Sequence, residues 1–332
     1  MSQRHIFTPD ELNAYFDRIC LPISGRHLTV THLSDAAKLA YLRLLQKHQL
    51  VKVPWENLSQ HYSWHHTVHV SPHHLFRKIV TENNNRGGYC FEANYFFHYI
   101  LLSLGFDVYL AGSRIHRGNG EYGGWTHVVN LITIAGKKYM VDGGYGPSGP
   151  VTALPLEDGV VKTQIAPAEC RLVYKVLAQN LDRGQRSWVY EFRYDAGSEW
   201  MPCYCFTEYE FFPADIEGLN LIPGTARNTF FTHKVVAVRF TTDNESVEGS
   251  SHDTGPRSPG EEQMDAEITG SITLTHDTLK WRQHGQKVVH VDLDSEGKRV
   301  KVLREYFSIE LSREDQMAVK GTAADLDFSL HV

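Results

Sequence analysis

The period of the hydrophobic pattern changes once, at Gly105, and that change divides the chain. Before it, apolar residues recur at helical spacing, in the sets Leu12/Tyr15/Phe16/Ile19, Leu39/Leu42/Leu45, Leu75/Ile79 and Phe91/Tyr95/Ile100/Leu104. After it, alternation with a period of two takes over at 108–115, 127–134 and 138–142. Further strands are expected at 171–177, 188–194, 234–240, 271–275, 287–293 and 301–307. Helices gathered in the first third, then a run of strands, make an α+β chain.

The helix starts carry their own signals. Thr8-Pro9-Asp10-Glu11 reads as a capping box with proline at the first helical position. Ser34 opens a second helix and Ser71-Pro72 a third, which ends at the asparagines 83–85. Between the second and third, Val53-Pro54-Trp55-Glu56-Asn57-Leu58 is extended around its proline. A short helix is expected from Ser312. The stretch 242–267 has no aromatic residue and is rich in Ser, Gly, Asp and Glu. Its composition predicts a mobile surface insertion between two strands.

Asn84-Asn85-Arg86-Gly87-Gly88-Tyr89-Cys90 runs straight into the fourth helix and sets Cys90 in its first turn. Unpaired N–H groups and the positive end of the helix dipole favour an anion there. The thiolate is the nucleophilic form of cysteine. The bland alternative is a buried core cysteine.

His127 and Asp142 flank the tight turn Ala135-Gly136. If that turn is a two-residue hairpin loop, Ile134 pairs with Lys137, and Asp142 falls diagonal to His127 on one face. A three-residue loop would set them on opposite faces. A carboxylate on one ring nitrogen fixes the tautomer and leaves the other free to take a thiol proton.

Charge and cysteine usage exclude other classes. The net charge of −6 over 332 residues argues against a nucleic-acid or anionic-membrane protein. Five scattered cysteines fit a reducing compartment. No run of 18 apolar residues exists and the polar start is no signal peptide, so a cytoplasmic protein is expected. His65, His66, His69, His73 and His74 cluster without Cys or Glu at useful spacing, so solvated histidines are expected rather than a metal site. Cys203-Tyr204-Cys205 is too closely spaced for a zinc or redox motif and reads as core.

Four segments, in order, resemble the arylamine N-acetyltransferases: Val53-Pro54-Trp55-Glu56-Asn57-Leu58, Arg86-Gly87-Gly88-Tyr89-Cys90-Phe91-Glu92, Thr126-His127, and Val141-Asp142-Gly143-Gly144-Tyr145-Gly146. The second half matches mainly in strand order and in Asn228-Thr229-Phe230-Phe231-Thr232; the insertion is closer to fungal members. The resemblance implies an N-terminal helical bundle (1–105), a central β-barrel (106–215) and a C-terminal α/β lid (216–332). It implies Cys90 as nucleophile, His127 as base and Asp142 as its orienting carboxylate. The reaction would be ping-pong transfer of an acyl group from acyl-CoA, through acyl-Cys90, to an arylamine, arylhydrazine or N-hydroxyarylamine.

Tyr145 matches an aromatic wall of the acceptor pocket, with Trp55 and Phe231 as further candidates. Gly123 and Gly124 match a loop near the CoA entry. Glu56 and Arg86 read as a structural ion pair tying the upstream segment to the cysteine turn. No permanently bound cofactor, metal or protein partner is expected. Acetyl-CoA is the family default, and some fungal relatives use malonyl-CoA. A carboxylate-bearing donor would need a cation or hydroxyl, for which Arg114, Arg117 and Tyr145 are candidates. The rival readings are a Cys-His-Asp thiol hydrolase, amidase or transglutaminase, and a binding protein that keeps the fold alone.

Overall fold

The computed structural model describes residues 4–226, 229–245 and 266–329. Helices α1 (Pro9–Arg18), α2 (Asp35–Lys52), α3 (Pro72–Phe76) and α4 (Cys90–Ser103) come first. Thr8 caps α1 reciprocally with Glu11: Glu11 N–H donates to Thr8 Oγ1 at 3.3 Å and Thr8 N–H to Glu11 Oε2 at 2.8 Å. α4 is buried on all sides from Cys90 to Leu101, the mark of a helix at the centre of a core. It packs against β2 (Asp107–His116) and β3 (Tyr122–Ile134).

β2 and β3 belong to an eight-stranded antiparallel sheet that nearly closes into a barrel. Its other members are β4 (Lys137–Val141), β5 (Leu154–Pro155), β6 (Val161–Thr163), β7 (Glu169–Lys175), β8 (Ser187–Arg193) and β9 (Met201–Phe211). The order is β5-β4-β3-β2-β9-β8-β7-β6. One face packs on the helices through Val108, Leu110, Val128 and Ile132. The other encloses Ala111, Leu131, Met140, Tyr190, Tyr204 and Phe206.

The β3–β4 hairpin closes with Ile134 opposite Lys137. Ala135 and Gly136 have φ of 53° and 73°, the two positive values that a two-residue hairpin loop of matching twist requires. A five-stranded sheet follows, ordered β1-β10-β11-β12-β13. It pairs β1 (Trp55–Glu56) with β10 (Val236–Thr242), then β11 (Ile268–Thr275), β12 (Thr278–Gln283) and β13 (Gln286–Asp292). Trp55 sits opposite Val238 and Glu56 opposite Ala237, so the upstream proline segment is stitched to the last third of the chain.

Residues 301–307 were expected as a strand. They form the end of a helix, Glu296–Phe307. Val300 and Val302 suggest alternation, but Glu296, Arg299, Val302, Leu303 and Phe307 are the buried set, and their spacing is helical. Ser308 ends the helix in the left-handed region at φ 57°. β9, β12 and helix α5 (Pro213–Thr225) were not among the expected elements. Of the proposed insertion, 246–265 fall outside the described residues. Among the described residues, no helix is long and apolar enough to cross a membrane.

Candidate active site

Cys90 is the first residue of α4 and is 3% exposed. The turn before it is pressed onto Pro54. Gly88 N–H donates to Pro54 O at 3.3 Å, and Glu56 N–H to Gly88 O at 3.2 Å. A Cβ at Gly87 would lie 1.8 Å from Pro54 O, so only glycine fits there. The Cys90 thiol reaches the Thr126 carbonyl at 3.6 Å.

Thr126 is an extra residue in β3. Ser113 of β2 pairs with His127 and Arg114 with Trp125, leaving Thr126 unmatched. Bulges of this kind re-aim a neighbouring side chain. Here His127 Nε2 lies 2.7 Å from Asp142 Oδ2, and the nearby Cys90 adds to the electrostatic field on the imidazole. With Nε2 committed to the carboxylate, Nδ1 is the nitrogen left for sulfur. Burial disfavours charge on His127, but Asp142 and then Cys90 outweigh it and carry the imidazole up to about 10. Burial likewise opposes ionised Asp142. His127, Asn94 and the Gly144 N–H prevail and hold its carboxyl below the usual range.

Asn94 lies one turn after Cys90 on α4. Its Nδ2 donates to Asp142 Oδ1 at 2.8 Å and to Val128 O at 2.7 Å, while its Oδ1 accepts from Gly143 N–H at 2.8 Å. Tyr204 and Tyr145 pack their rings on His127 from the barrel side, at 5.1 and 5.9 Å between centroids. These apolar rings keep water from the His127–Asp142 pair.

A narrow cleft beside the site is lined by Leu50, Val53, Trp55, Asp142, Gly143 and Tyr145, among others. Phe231 stands behind Trp55, 6.0 Å between ring centroids, and touches Tyr89 at 5.6 Å. Gly123 and Gly124 lie outside this lining, on β3 upstream of His127. Gly124 faces open space, and Gly123 lies beside the Arg117 guanidinium. Arg114 stacks 3.8 Å over Trp125 and donates to Gly123 O at 3.0 Å.

Beneath the cysteine turn lies a buried charge network. Arg86 Nε donates to Glu56 Oε1 at 2.9 Å, the expected pair. Lys78 Nζ reaches Glu92 Oε1 at 2.7 Å and Glu56 Oε1 at 3.5 Å. Burial would raise Glu56; Arg86 and Lys78 bring it down to about 2. Glu92 goes the other way: burial raises it, Lys78 opposes, and Glu56 adds to the rise. Asn94, Tyr204, Lys78 and Glu92 were not singled out from the sequence. A polar Asn94 within an apolar helix was the one signal available.

His65, His66, His69 and His73 are exposed. Among the described residues no group of three or more His, Cys, Asp and Glu is arranged to hold a metal. Cys203 and Cys205 are buried.

A family model described as N-acetyltransferase matches residues 38–248. The N-malonyltransferase FDB2 of Fusarium pseudograminearum is 31% identical over 336 residues, covering 93% of this chain and 91% of the relative. The arylamine N-acetyltransferase of Mycobacterium abscessus superimposes with a TM-score of 0.76 at 21% identity, over 98% of this chain and 99% of the other. That of Mycobacterium marinum in complex with CoA does so with a TM-score of 0.69 at 22% identity, over 95% and 98%. The match over most of the chain, on the same fold, makes this protein an acyltransferase of the arylamine N-acetyltransferase family.

Proposed function

We propose that the chain transfers a short acyl group from acyl-CoA to an aromatic amine through an acyl-Cys90 intermediate. One observation carries the reading: His127 is held by Asp142 at 2.7 Å, while the Cys90 thiol, at the start of α4, meets the carbonyl of Thr126, the residue before His127. In the first half-reaction His127 Nδ1 already carries the proton from Sγ, in keeping with an imidazole raised to about 10, and Cys90 reacts as the thiolate. Sulfur attacks the thioester carbonyl, the carbon–sulfur bond to CoA breaks, and CoA leaves with the proton from His127. In the second, the amine nitrogen attacks the acyl-Cys90 carbonyl and His127 takes the N–H proton. The amide is released and sulfur leaves as the thiolate.

Arylamines suit this chemistry, because a weakly basic amine is largely unprotonated near neutral pH. Arylhydrazines and N-hydroxyarylamines are acceptors of the same kind. Trp55 and Tyr145 line the cleft beside Asp142 and are the proposed acceptor wall, with Phe231 behind. Gly123 and Gly124 are the proposed approach for the pantetheine arm, since Gly124 leaves open space on the strand that carries His127. The likeness to N-malonyltransferases favours malonyl-CoA over acetyl-CoA as donor.

Steady-state kinetics with malonyl-CoA or acetyl-CoA and aniline-type acceptors test this. Parallel double-reciprocal lines and a product amide are expected. Intersecting lines, or hydrolysis of acyl-CoA without amide, would overturn it.

A further inference from the structure

Lys78 is 5% exposed, and lysine is almost never that buried without a partner. It sits where α3 gives way to a π-helical turn, Arg77–Thr81, with Glu82 N–H donating to Arg77 O at 3.0 Å. Its ammonium lies between two buried carboxylates that hold opposite sides of the cysteine turn. Glu56 Oε1 accepts from Gly87 N–H at 3.2 Å. Glu92 Oε2 accepts from Tyr89 N–H at 3.2 Å, which caps α4 from within its own first turn. The ordinary cap of a helix start is a neutral or acidic side chain facing water. This one is a buried carboxylate two residues from Cys90, paired with Lys78 at 2.7 Å, and any charge on it competes with sulfur for the positive end of α4.

Resting on the reading of Cys90 as nucleophile, we infer that Lys78 is a positioning residue for it. Its ammonium joins Glu92 to Glu56, clamps the Arg86–Cys90 turn, and cancels the Glu92 charge that would oppose an anionic sulfur. The other charged and titratable groups around Cys90 are His127 and Asp142 from the barrel, Tyr89 on its own turn, and Arg86 with Glu56 below. Asp315 adds to the field at Arg86. None of these changes in the variants below.

The test is the pH profile of Cys90 alkylation by iodoacetamide, read on the Cys90 peptide, for wild type, K78M, K78R, E92Q and K78M/E92Q, each with a thermal melt. The profile reports the Cys90–His127 pair as a unit. K78M raises its midpoint by about one pH unit, the size of losing one compensating charge at close range. K78R keeps the wild-type midpoint. K78M/E92Q returns to it, because the opposing charge has gone too. E92Q alone lowers it, and decides the question if K78M does not fold.

A folded K78M with an unmoved midpoint, a double variant as shifted as K78M, or an E92Q midpoint unchanged or raised would overturn the inference. A purely structural lysine predicts that the second substitution gives no recovery. The outcome is separable from the nucleophile reading. If acyl-CoA leaves no adduct on wild-type Cys90, that reading fails, while the alkylation profiles still report on Lys78.

Discussion

Asn94 Nδ2 lies 2.8 Å from Asp142 Oδ1, one helical turn beyond Cys90. The helix that presents the sulfur therefore also fixes the carboxylate that orients His127. Asn94 further holds Gly143 N–H and Val128 O, so a single buried amide sets the spacing between α4, β3 and the Asp142 turn. Replacing Asn94 by Ala takes its partner from Gly143 N–H and leaves Asp142 Oδ1 held by the Gly144 N–H, which loosens the carboxylate. Expected is a drop of about 10–100-fold in kcat/KM for acylation, equivalent to about 1.4–2.8 kcal/mol. Stopped-flow acylation measures it; a change under twofold would show that Asp142 holds its place without Asn94.

Asp142→Asn removes the charge that carries His127 up to about 10. A histidine raised in the folded state adds stability that is fully present below its unfolded value near 6.5. That stability is lost as pH rises through about 10. Wild type should therefore lose stability between roughly pH 6.5 and 10, and the variant should be flatter over that range. Turnover should fall by about 10³–10⁴-fold, the loss typical when a triad imidazole loses its orienting carboxylate. Chemical denaturation across pH, with amide-product assays at neutral pH, checks both.

Glu56 gives the opposite sign. Its folded value is depressed to about 2, so its stabilisation is present above the unfolded value and disappears as pH falls through about 2. Melts should weaken from roughly pH 4.5 downward, and less steeply in Glu56→Gln, which begins from a lower melting temperature.

Arg86→Gln should reduce stability more than chemistry. It strips Glu56 of its bidentate partner, and breaking a buried pair costs about 3 kcal/mol or more. Lys78 still faces Glu56 at 3.5 Å, which keeps the loss below complete unfolding. A melt equal to wild type would contradict this.

Tyr145→Ala should separate the two half-reactions. Tyr145 lines the cleft beside Asp142 but does not touch the sulfur through any hydrogen bond. Formation of the acyl adduct should change little, whereas KM for the arylamine rises by about tenfold through loss of an aromatic contact worth about 1.4 kcal/mol. Equal losses in both steps would place Tyr145 outside the acceptor wall.

What the sequence revealed follows from how local each signal was. Cys90 was legible because Gly87-Gly88 and the apolar run after it mark a helix start. The Ile134–Lys137 register was legible because Ala135-Gly136 is a turn pair that closes one way. Residues 301–307 were misread because two valines two apart imitate a strand, while the deciding member of the helical face is Arg299, a charged residue buried against Glu296 and Tyr62. Lys78, Glu92 and Asn94 read as ordinary polar residues, because their partners come together only when α4 is packed on β3 and the π-helical turn. Tyr204 was hidden in β9, whose central residues are buried in succession and show no alternation.

The most direct measurement is the intact mass of the protein after brief exposure to malonyl-CoA, and separately acetyl-CoA, without acceptor, for wild type and Cys90→Ala. Wild type should gain the mass of one acyl group, more completely from malonyl-CoA, and Cys90→Ala should gain none. No adduct on wild type from either donor, or an adduct that persists in Cys90→Ala, would contradict the account.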